Sequence, residues 1–332
     1  MIMKDVVIFG KDGIYNCAKN EGALSGDINV VGFIDNNPKD DDTLFPYLIN
    51  KYKYDQVIIS MASAKNKFSA INQLIELGVD ASKIGVIEEY HINYNYAVDV
   101  VEKNNIILRK GDVRLKCCNP LELMIADEVF GGAMYDYFDK HKKIVIDVGM
   151  NIGAASLFFA NMEDVDSIYG FEIDDYTFSR ALENIELNDE LIRKKIHAFN
   201  CGLGKDDKVE RYYKHCGDET ASAGMKICLD ENDRTSETIE IHVRKASSLL
   251  KNIVDDYTGK IVMKIDCEGA EYEILQDLKE SGLLSKIDVI FGEWHDNGKR
   301  MLLELLQEDN RFSCIIQSQR RSFGLFYAFR NQ

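Results

Sequence analysis

The sequence predicts an α/β protein made of two doubly wound parallel sheets in tandem. Short apolar runs alternate with helix-like stretches, and this alternation occurs in two separate series. The chain has 332 residues, which at about 150 residues per domain leaves room for two packed cores. Its 45% hydrophobic and 29% charged residues and its 3 prolines are ordinary for a globular protein. They argue against a disordered or collagen-like chain.

The first series occupies residues 1 to about 92 and predicts a small parallel-sheet domain. Its opening strand runs into a turn that contains Gly10 and Gly13, and a later helix at Lys67–Leu77 ends at Gly78. The predicted strands are Val6–Phe9, Val30–Ile34, Val57–Ile59 and Ile84–Ile87. Residues 93–141 show no clear hydrophobic period, so we interpret them as a connecting region.

The second series, residues 142–332, predicts a larger sheet. Its strands are Ile144–Val148, Ser167–Phe171, His197–Cys201, Ile261–Ile265 and Val289–Phe291. The helices between them are Ala154–Asn161, Tyr176–Asn188 and Ala270–Leu278. The segment Lys208–Arg244 alternates in polarity and predicts an inserted hairpin or an excursion over the active face. Two last β-rich runs, Phe312–Gln317 and Leu325–Phe329, predict an antiparallel pair that closes the sheet.

The charge balance limits the partners that we expect. With 40 Lys and Arg against 56 Asp and Glu, the net charge is −16, which repels nucleic acid and anionic lipid. The 8 cysteines contain no C-x-x-C pair, and no apolar stretch approaches the ~18 residues of a membrane span. The apolar run after Lys4 is too short for a signal-peptide core. We therefore expect a cytoplasmic protein with free thiols and no transmembrane segment.

Candidate functional residues follow the strands of the second series, where open α/β sheets bind ligands. The first strand ends in a glycine-rich turn, Asp147-Val-Gly149-Met-Asn151-Ile-Gly153, and the second ends in Glu172. An acid about 20 residues beyond such a turn is placed to accept both hydroxyls of a ribose. Two later strands end in Lys264-Ile-Asp266-Cys-Glu268-Gly269-Ala-Glu271 and Gly292-Glu293-Trp294-His295.

Together these four blocks resemble the FkbM-type methyltransferases, which transfer a methyl group from S-adenosylmethionine to hydroxyl groups. The resemblance covers roughly residues 125–330 and implies a Rossmann-like sheet of the class I methyltransferase type. Two residues depart from the family pattern, Met150 for alanine and Ile173 for proline. Neither departure alters the groups that the resemblance places toward the cofactor.

The resemblance implies a role for each block. The methionine part of the cofactor would lie against Asp147, Gly149, Asn151 and Gly153, its ribose against Glu172, and its adenine near Asn200 and Gly202. Tyr135 and Tyr137 could close over the cofactor or simply pack.

For the chemistry we expect Asp266 or His295 to accept the hydroxyl proton, with Lys264 holding Asp266 ionised. Two alternatives stay open. Lys264 and Asp266 could form an ion pair that only fixes the strand end. Asp266, Glu268, Glu293 and His295 could instead ligate a divalent ion, although we predict no metal site. We place Glu271 in a first helical turn, where an acid favours the helix dipole.

The first unit resembles the nucleotide-sugar-binding Rossmann units of glycan-modifying enzymes. Asn16 stands where a dinucleotide fingerprint has its third glycine, so tight NAD binding is not expected, while Asp35 could hold a ribose. A degenerate domain kept for positioning or dimerisation is the alternative.

The FkbM resemblance, and that alone, implies the acceptor: the predicted activity is O-methylation of a sugar in a surface polysaccharide or its precursor. We expect the chain to bind a small molecule or a glycan, and it could form a homo-oligomer. A nicotinamide-dependent oxidoreductase of nucleotide sugars and a non-catalytic glycan-assembly scaffold remain as alternatives.

Overall fold

The computed structural model describes residues 3–11, 13–22, 24, 28–90, 96–131, 134–135, 139–214, 237–295, 298–319 and 322–331. The chain forms two compact units, Met1–Met134 and Tyr135–Gln332. Within the described residues, no helix is long and apolar enough to span a membrane. The six described cysteines are free, and Cys216 and Cys228 lie outside the described residues.

The first unit contains a five-stranded parallel sheet with the order β3-β2-β1-β4-β5. Its strands and helices are β1 Lys4–Phe9, α1 Gly13–Asn20, β2 Ile28–Ile34, β3 Thr43–Leu44, β4 Gln56–Ile59, α2 Ala64–Glu76 and β5 Ile84–Val86. The run Val6–Phe9 is completely buried, as expected for a parallel strand that is covered on both faces. Short 3₁₀ helices occur at Pro46–Lys51, Ala81–Lys83 and Ile87–Tyr90.

The stretch predicted as a connecting region contains more structure than expected. It forms a three-stranded antiparallel sheet, β6 Ala97–Glu102, β7 Asn105–Lys110 and β8 Val113–Cys117, followed by helix α3 Pro120–Phe130. The strands alternate buried and accessible side chains, and their short turns contain Asn104 (φ 56°) and Gly111 (φ 59°). Each strand is too short to show a strong period by itself, which is why the sequence pattern was missed.

The second unit is built on a seven-stranded sheet with the order β11-β10-β9-β15-β16-β18-β17. The strands are β9 Lys143–Val148, β10 Val165–Glu172, β11 Ile196–Asn200, β12 Gly202–Gly204, β13 Lys208–Lys214, β14 Glu237–Lys245, β15 Lys260–Ile265, β16 Val289–His295, β17 Phe312–Ser318 and β18 Phe323–Arg330. The helices are α4 Ala154–Ala160, α5 Asp175–Glu186, α6 Glu190–Arg193, α7 Ala246–Asp255, α8 Glu271–Glu280 and α9 Lys299–Gln307. Two 3₁₀ helices, Leu283–Lys286 and Glu308–Asn310, complete the unit.

The strand order creates a crevice at the carboxyl end of β9. The chain runs from β9 outward to β10 and β11, then returns to β15 on the other side of β9. Ligands bind at such a switch point in open α/β sheets. At the far edge, β18 runs antiparallel to β16 and β17 antiparallel to β18, which confirms the predicted closing pair.

The predicted insertion forms an antiparallel pair of β13 with β14, and β12 lies parallel to β14. The residues between the two hairpin strands, 215–236, lie outside the described part of the chain. The core of this unit packs one face of the main sheet against α7, α8 and α9. Trp294 is 2% exposed within that core, as the alternation along its strand predicted.

Candidate active site

The turn after β9 is shaped by three residues with left-handed backbone: Gly149 (φ 78°), Asn151 (φ 54°) and Gly153 (φ 86°). The backbone N–H groups of Gly149 and Met150 both donate to the carbonyl of Phe171, at 3.0 and 2.9 Å, which holds the turn against β10. A Cβ on residue 149 would lie 1.8 Å from the carbonyl oxygen of Asp266. Glycine is therefore required at position 149, both for its conformation and for the contact with the backbone after β15.

Lys264 and Asp147 form a buried ion pair behind this turn. The two residues are neighbours in the β15–β9 register, and Lys264 Nζ lies 3.2 Å from Asp147 Oδ1. Lys264 Nζ also donates to the Gly149 carbonyl at 2.6 Å, and Ser156 Oγ donates to Asp147 Oδ2 at 2.6 Å. Burial alone would lower the pKa of Lys264, but the charge of Asp147 outweighs it and raises the pKa, so the ammonium stays charged.

This arrangement differs from the predicted pairing of Lys264 with Asp266. Among the described residues, the carboxylate paired with Lys264 is that of Asp147. Asp266 follows the last residue of β15, so the strand alternation that would place both side chains on one face no longer applies. Asp147 was predicted to lie against the methionine part of the cofactor, but it is fully buried, so its carboxylate supports the turn from within.

Glu172 connects the glycine turn to the end of β10. Its Oε2 accepts the N–H of Asn151 at 2.8 Å, and its Oε1 accepts the N–H of Asp174 at 3.0 Å. Burial raises the pKa of this carboxyl, against the opposing effect of the two N–H donors. A carboxylate has about four acceptor positions, so each oxygen retains one for a further donor.

The residues predicted for the adenine side lie next to Glu172. Asn200 Nδ2 donates to the Glu172 carbonyl at 3.2 Å. Gly202 lies against Ile173, since a Cβ on residue 202 would be 2.6 Å from Ile173 Cδ1. The turn, Glu172 and these two residues thus follow one continuous edge of the sheet.

A second group of side chains gathers at the ends of β15 and β16. One donor atom from each of Asp266, Glu293 and His295 lies within 4.8 Å of the others. His295 Nε2 is 3.6 Å from Glu293 Oε2 and 3.6 Å from Glu268 Oε2. The sequence-predicted catalytic residues Asp266 and His295 are therefore close together, whereas Lys264 belongs to the buried pair behind the turn.

Glu271 has a contact that the sequence analysis missed. It is the first residue of α8, as expected, but its side chain is fully buried and its Oε1 lies 3.0 Å from His295 Nδ1. Burial would lower the pKa of His295, but the hydrogen bond and charge of Glu271 raise it to about 9. The only feature of the sequence that pointed to this contact was the position of Glu271, a second glutamate in the Glu268-Gly269-Ala-Glu271 block, at the start of a helix.

Asp266, Glu293 and His295 offer two carboxylates and an imidazole to a divalent ion, as the alternative interpretation required. The same imidazole lies 3.0 Å from the fully buried carboxylate of Glu271, so a proton on its ring is held between carboxylates. We interpret the group as a proton-handling cluster. Tyr135, the other side chain considered for the crevice, is 4% exposed and stacks on Phe291 at 5.6 Å between ring centroids, so it packs. Tyr137 lies outside the described residues.

The family model of the methyltransferase FkbM domain matches residues 147–313, which is half of the chain. The chain belongs to the FkbM methyltransferase family. It is an enzyme, and S-adenosylmethionine is its methyl donor, as the motifs predicted. The second unit is the predicted Rossmann-like methyltransferase fold. This membership favours methyl transfer over the oxidoreductase and scaffold alternatives.

Relatives of this FkbM methyltransferase include two other methyltransferases. Methyltransferase sdnD of Sordaria araneosa is 25% identical over 213 residues, covering 57% of this chain and 81% of the relative. Methyltransferase 1 of Beauveria bassiana is 26% identical over 170 residues, covering 47% and 67%. Among solved structures, the methyltransferase FkbM of Methylobacillus flagellatus KT has a TM-score of 0.43 at 11% identity, covering 99% of this chain and 90% of that one.

The site of this FkbM methyltransferase fits S-adenosylmethionine by its chemistry. The two oxygens of Glu172 keep acceptor positions for two ribose hydroxyls. The acidic side chains at Asp266 and Glu293 suit a cationic sulfonium. Ile173, which replaces the family's proline, is accommodated by the missing side chain of Gly202.

The first unit of this FkbM methyltransferase has its own similarity. The family model of the C2185-like N-terminal domain matches residues 2–85. Asp35, the residue considered for a ribose, already accepts one hydrogen bond: its Oδ1 accepts the backbone N–H of Asn37 at 2.8 Å. Nucleotide-sugar binding by this unit therefore stays a prediction.

Proposed function

We propose that this FkbM methyltransferase methylates a hydroxyl group of a sugar, in a surface polysaccharide or its precursor. The observation that carries the proposal is the joint presence of Asp266 and the carboxylate-backed imidazole of His295 at the carboxyl ends of β15 and β16. A hydroxyl must lose its proton during methylation, and these are two groups able to accept it. Neighbouring Glu293 adds a hydrogen-bond acceptor that suits a substrate rich in hydroxyl donors.

The roles of the cofactor-side residues follow from their contacts. Gly149, Asn151 and Gly153 would border the methionine part of S-adenosylmethionine, and Glu172 would accept hydrogen bonds from the ribose. Asn200 and Gly202 would border the adenine. The cofactor supplies the activated methyl group. Asp147 and Lys264 keep the turn in place from behind, because Lys264 binds both the Asp147 carboxylate and the Gly149 carbonyl.

The chain's remaining residues would orient the acceptor and receive its proton. Methyl transfer requires the acceptor oxygen to lie in line with the carbon–sulfur bond that breaks, so orientation contributes a large part of the rate. The backbone carbonyl of Asp266 lies against Gly149, which would join acceptor binding to the cofactor turn. The hydroxyl proton would pass to Asp266 or His295.

For the domain organisation, we propose a methyltransferase domain at 142–332 and a small Rossmann-like domain at 1–92 that binds or positions a nucleotide-linked sugar. A cytoplasmic location would suit an enzyme that modifies a polysaccharide precursor before export. Glycan binding and self-association are parts of the same proposal, and binding of a uridine or guanosine diphosphate sugar to the full chain would support it.

The activity is tested with methyl-labelled S-adenosylmethionine and a panel of free sugars, nucleotide sugars and polysaccharide fragments. We expect label on a sugar oxygen, located by mass spectrometry, together with release of S-adenosylhomocysteine. Asp266→Asn should bind S-adenosylhomocysteine as the parent does and turn over more slowly. Label on nitrogen or on a carboxylate of an acceptor from the same cells, with none on hydroxyls, would overturn the proposed acceptor class.

A mass-spectrometric comparison of surface glycans from strains with and without the gene gives the cellular test. We expect one fewer methyl group on a sugar residue when the gene is absent. Identical glycans in the two strains would contradict a role in polysaccharide modification.

A further inference from the structure

The buried carboxylate of Glu271 contacts both the segment that carries His295 and the turn before α8. Oε1 lies 3.0 Å from His295 Nδ1 and accepts the backbone N–H of His295 at 2.9 Å. Oε2 accepts the N–H of Gly269 at 2.8 Å. The side chain is fully buried, so its carboxylate interacts with protein groups and not with solvent. A helix-terminal acid that only complements the dipole needs none of these contacts.

We infer that Glu271 is a positioning residue for methyl transfer, which holds His295 through Nδ1 so that Nε2 faces Glu268 and Glu293 and acts as the proton acceptor. This inference rests on the proposed hydroxyl acceptor and chooses between the two acceptors left open above. In a neutral imidazole one ring nitrogen carries a hydrogen and the other has a lone pair that accepts a proton. The hydrogen-bond partner of one nitrogen decides which of the two carries the hydrogen. A carboxylate at Nδ1 keeps the hydrogen there and leaves the Nε2 lone pair for the substrate proton.

The charges around His295 support the same role. Glu271 approaches from α8, Glu268 from the preceding turn, Glu293 from the strand of His295 itself and Asp266 from the end of β15. Tyr272 Oη accepts the backbone N–H of His295 at 3.1 Å, which fixes the main chain next to the imidazole. Four carboxylates stabilise the imidazolium. A sulfonium bound near them would offset part of this stabilisation and favour the neutral, proton-accepting form of His295.

The chain provides a matched control for Glu271. Glu273 lies in the same first turn of α8, and its carboxylate is 3.9 Å from Lys208 Nζ. Glu273→Gln therefore removes the same charge from the same helix end while leaving the contacts of His295 unchanged. A difference between Glu271→Gln and Glu273→Gln reports the contact with His295 and not the helix dipole.

The first experiment measures kcat, KM and S-adenosylhomocysteine affinity as functions of pH for the parent and both variants. We expect Glu271→Gln to lower kcat at least about tenfold with cofactor affinity unchanged, because general-base catalysis contributes a factor of about 10² to 10⁴. The rising limb of kcat/KM against pH should move to lower pH in Glu271→Gln and stay in place in Glu273→Gln. Equal profiles for the two variants would overturn the inference.

The second experiment needs no variant of Glu271 and no acceptor. Ring nitrogen NMR of isotope-labelled His295 in the full chain, assigned by loss of the signal in His295→Gln, should show hydrogen on Nδ1 in the neutral form. Hydrogen on Nε2 would overturn the inference even if Glu271→Gln failed to fold. Because this measurement uses no acceptor, it separates a wrong role for Glu271 from a wrong acceptor class, which would appear only as lack of turnover on hydroxyl compounds.

Discussion

Met150 occupies the space in which residue 170 would carry a side chain. A Cβ built on Gly170 would lie 2.3 Å from Met150 Sδ and 3.2 Å from Ser156 Oγ. Met150 is 1% exposed and replaces the alanine usual in FkbM methyltransferases, so the larger residue in the cofactor turn is matched by a glycine on β10. The absence of a side chain at position 170 thus provides the space that methionine requires at position 150.

We predict that Gly170→Ala lowers the free energy of unfolding by about 1–3 kcal/mol, the usual cost of overpacking a core. Met150→Ala in the same chain should remove most of this loss, because the two substitutions act on one space. Urea unfolding of the parent, both single variants and the double variant measures the coupling. Additive effects would show that Met150 moves aside freely and that the two positions are independent.

Glu172→Gln is expected to weaken S-adenosylhomocysteine binding by about 10- to 100-fold. The variant loses charge-assisted hydrogen bonds, each of which contributes about 1.5–3 kcal/mol, and it disturbs the acceptor for the Asn151 N–H. Isothermal titration calorimetry measures the change. Asp175→Asn, which alters an exposed acid in the first turn of α5, is the control and should bind as the parent does. Unchanged affinity in Glu172→Gln would remove this residue from the cofactor site.

Lys264→Met is expected to destabilise the protein by about 3–5 kcal/mol, because it leaves the carboxylate of Asp147 buried without its counter-charge. Chemical denaturation of the single variant and of Asp147→Asn/Lys264→Met measures this, and the double variant should recover part of the loss. A Lys264→Met protein with parental stability and no turnover would instead support the catalytic role predicted for Lys264 from the sequence.

His295 should make the stability of the protein fall at alkaline pH. Its pKa is raised to about 9 in the folded protein, so the charged form is favoured by folding. The resulting stabilisation is complete below the ordinary titration range of histidine, near 6.5, and is lost as the pH rises through about 9. Unfolding free energies between these limits should decline in the parent and change less in His295→Gln. If the unfolding free energy changed with pH in the same way in the parent and in His295→Gln, this result would contradict a charged pair between His295 and Glu271.

The sequence predicted the regular parts of this fold because parallel strands leave a strong pattern. The completely apolar run Val6–Phe9 and the ends of the second series at Asp147, Glu172 and Asp266 could be placed without a structure, since strand ends in such sheets meet at one edge. The antiparallel strands within 97–117 were missed because each contributes only two or three buried side chains.

The side-chain partners were harder to predict than the positions. Lys264 was expected beside Asp266, yet it pairs with Asp147 because cross-strand register, which the sequence does not show, decides the neighbour of a buried side chain. The contact between Glu271 and His295 joins a helix start to a strand end 24 residues away. Local spacing cannot reveal such a contact.

Gly149 touches the peptide of Asp266, and Lys264 reaches from the same strand to the Gly149 carbonyl. In the proposed site, the wall that would receive the methyl donor and the wall that would receive the acceptor therefore share these contacts. A displacement of one wall would then shift the other, which would link donor binding to acceptor alignment. Changes that broaden the range of acceptors should accumulate away from these contacts, where they leave that linkage intact.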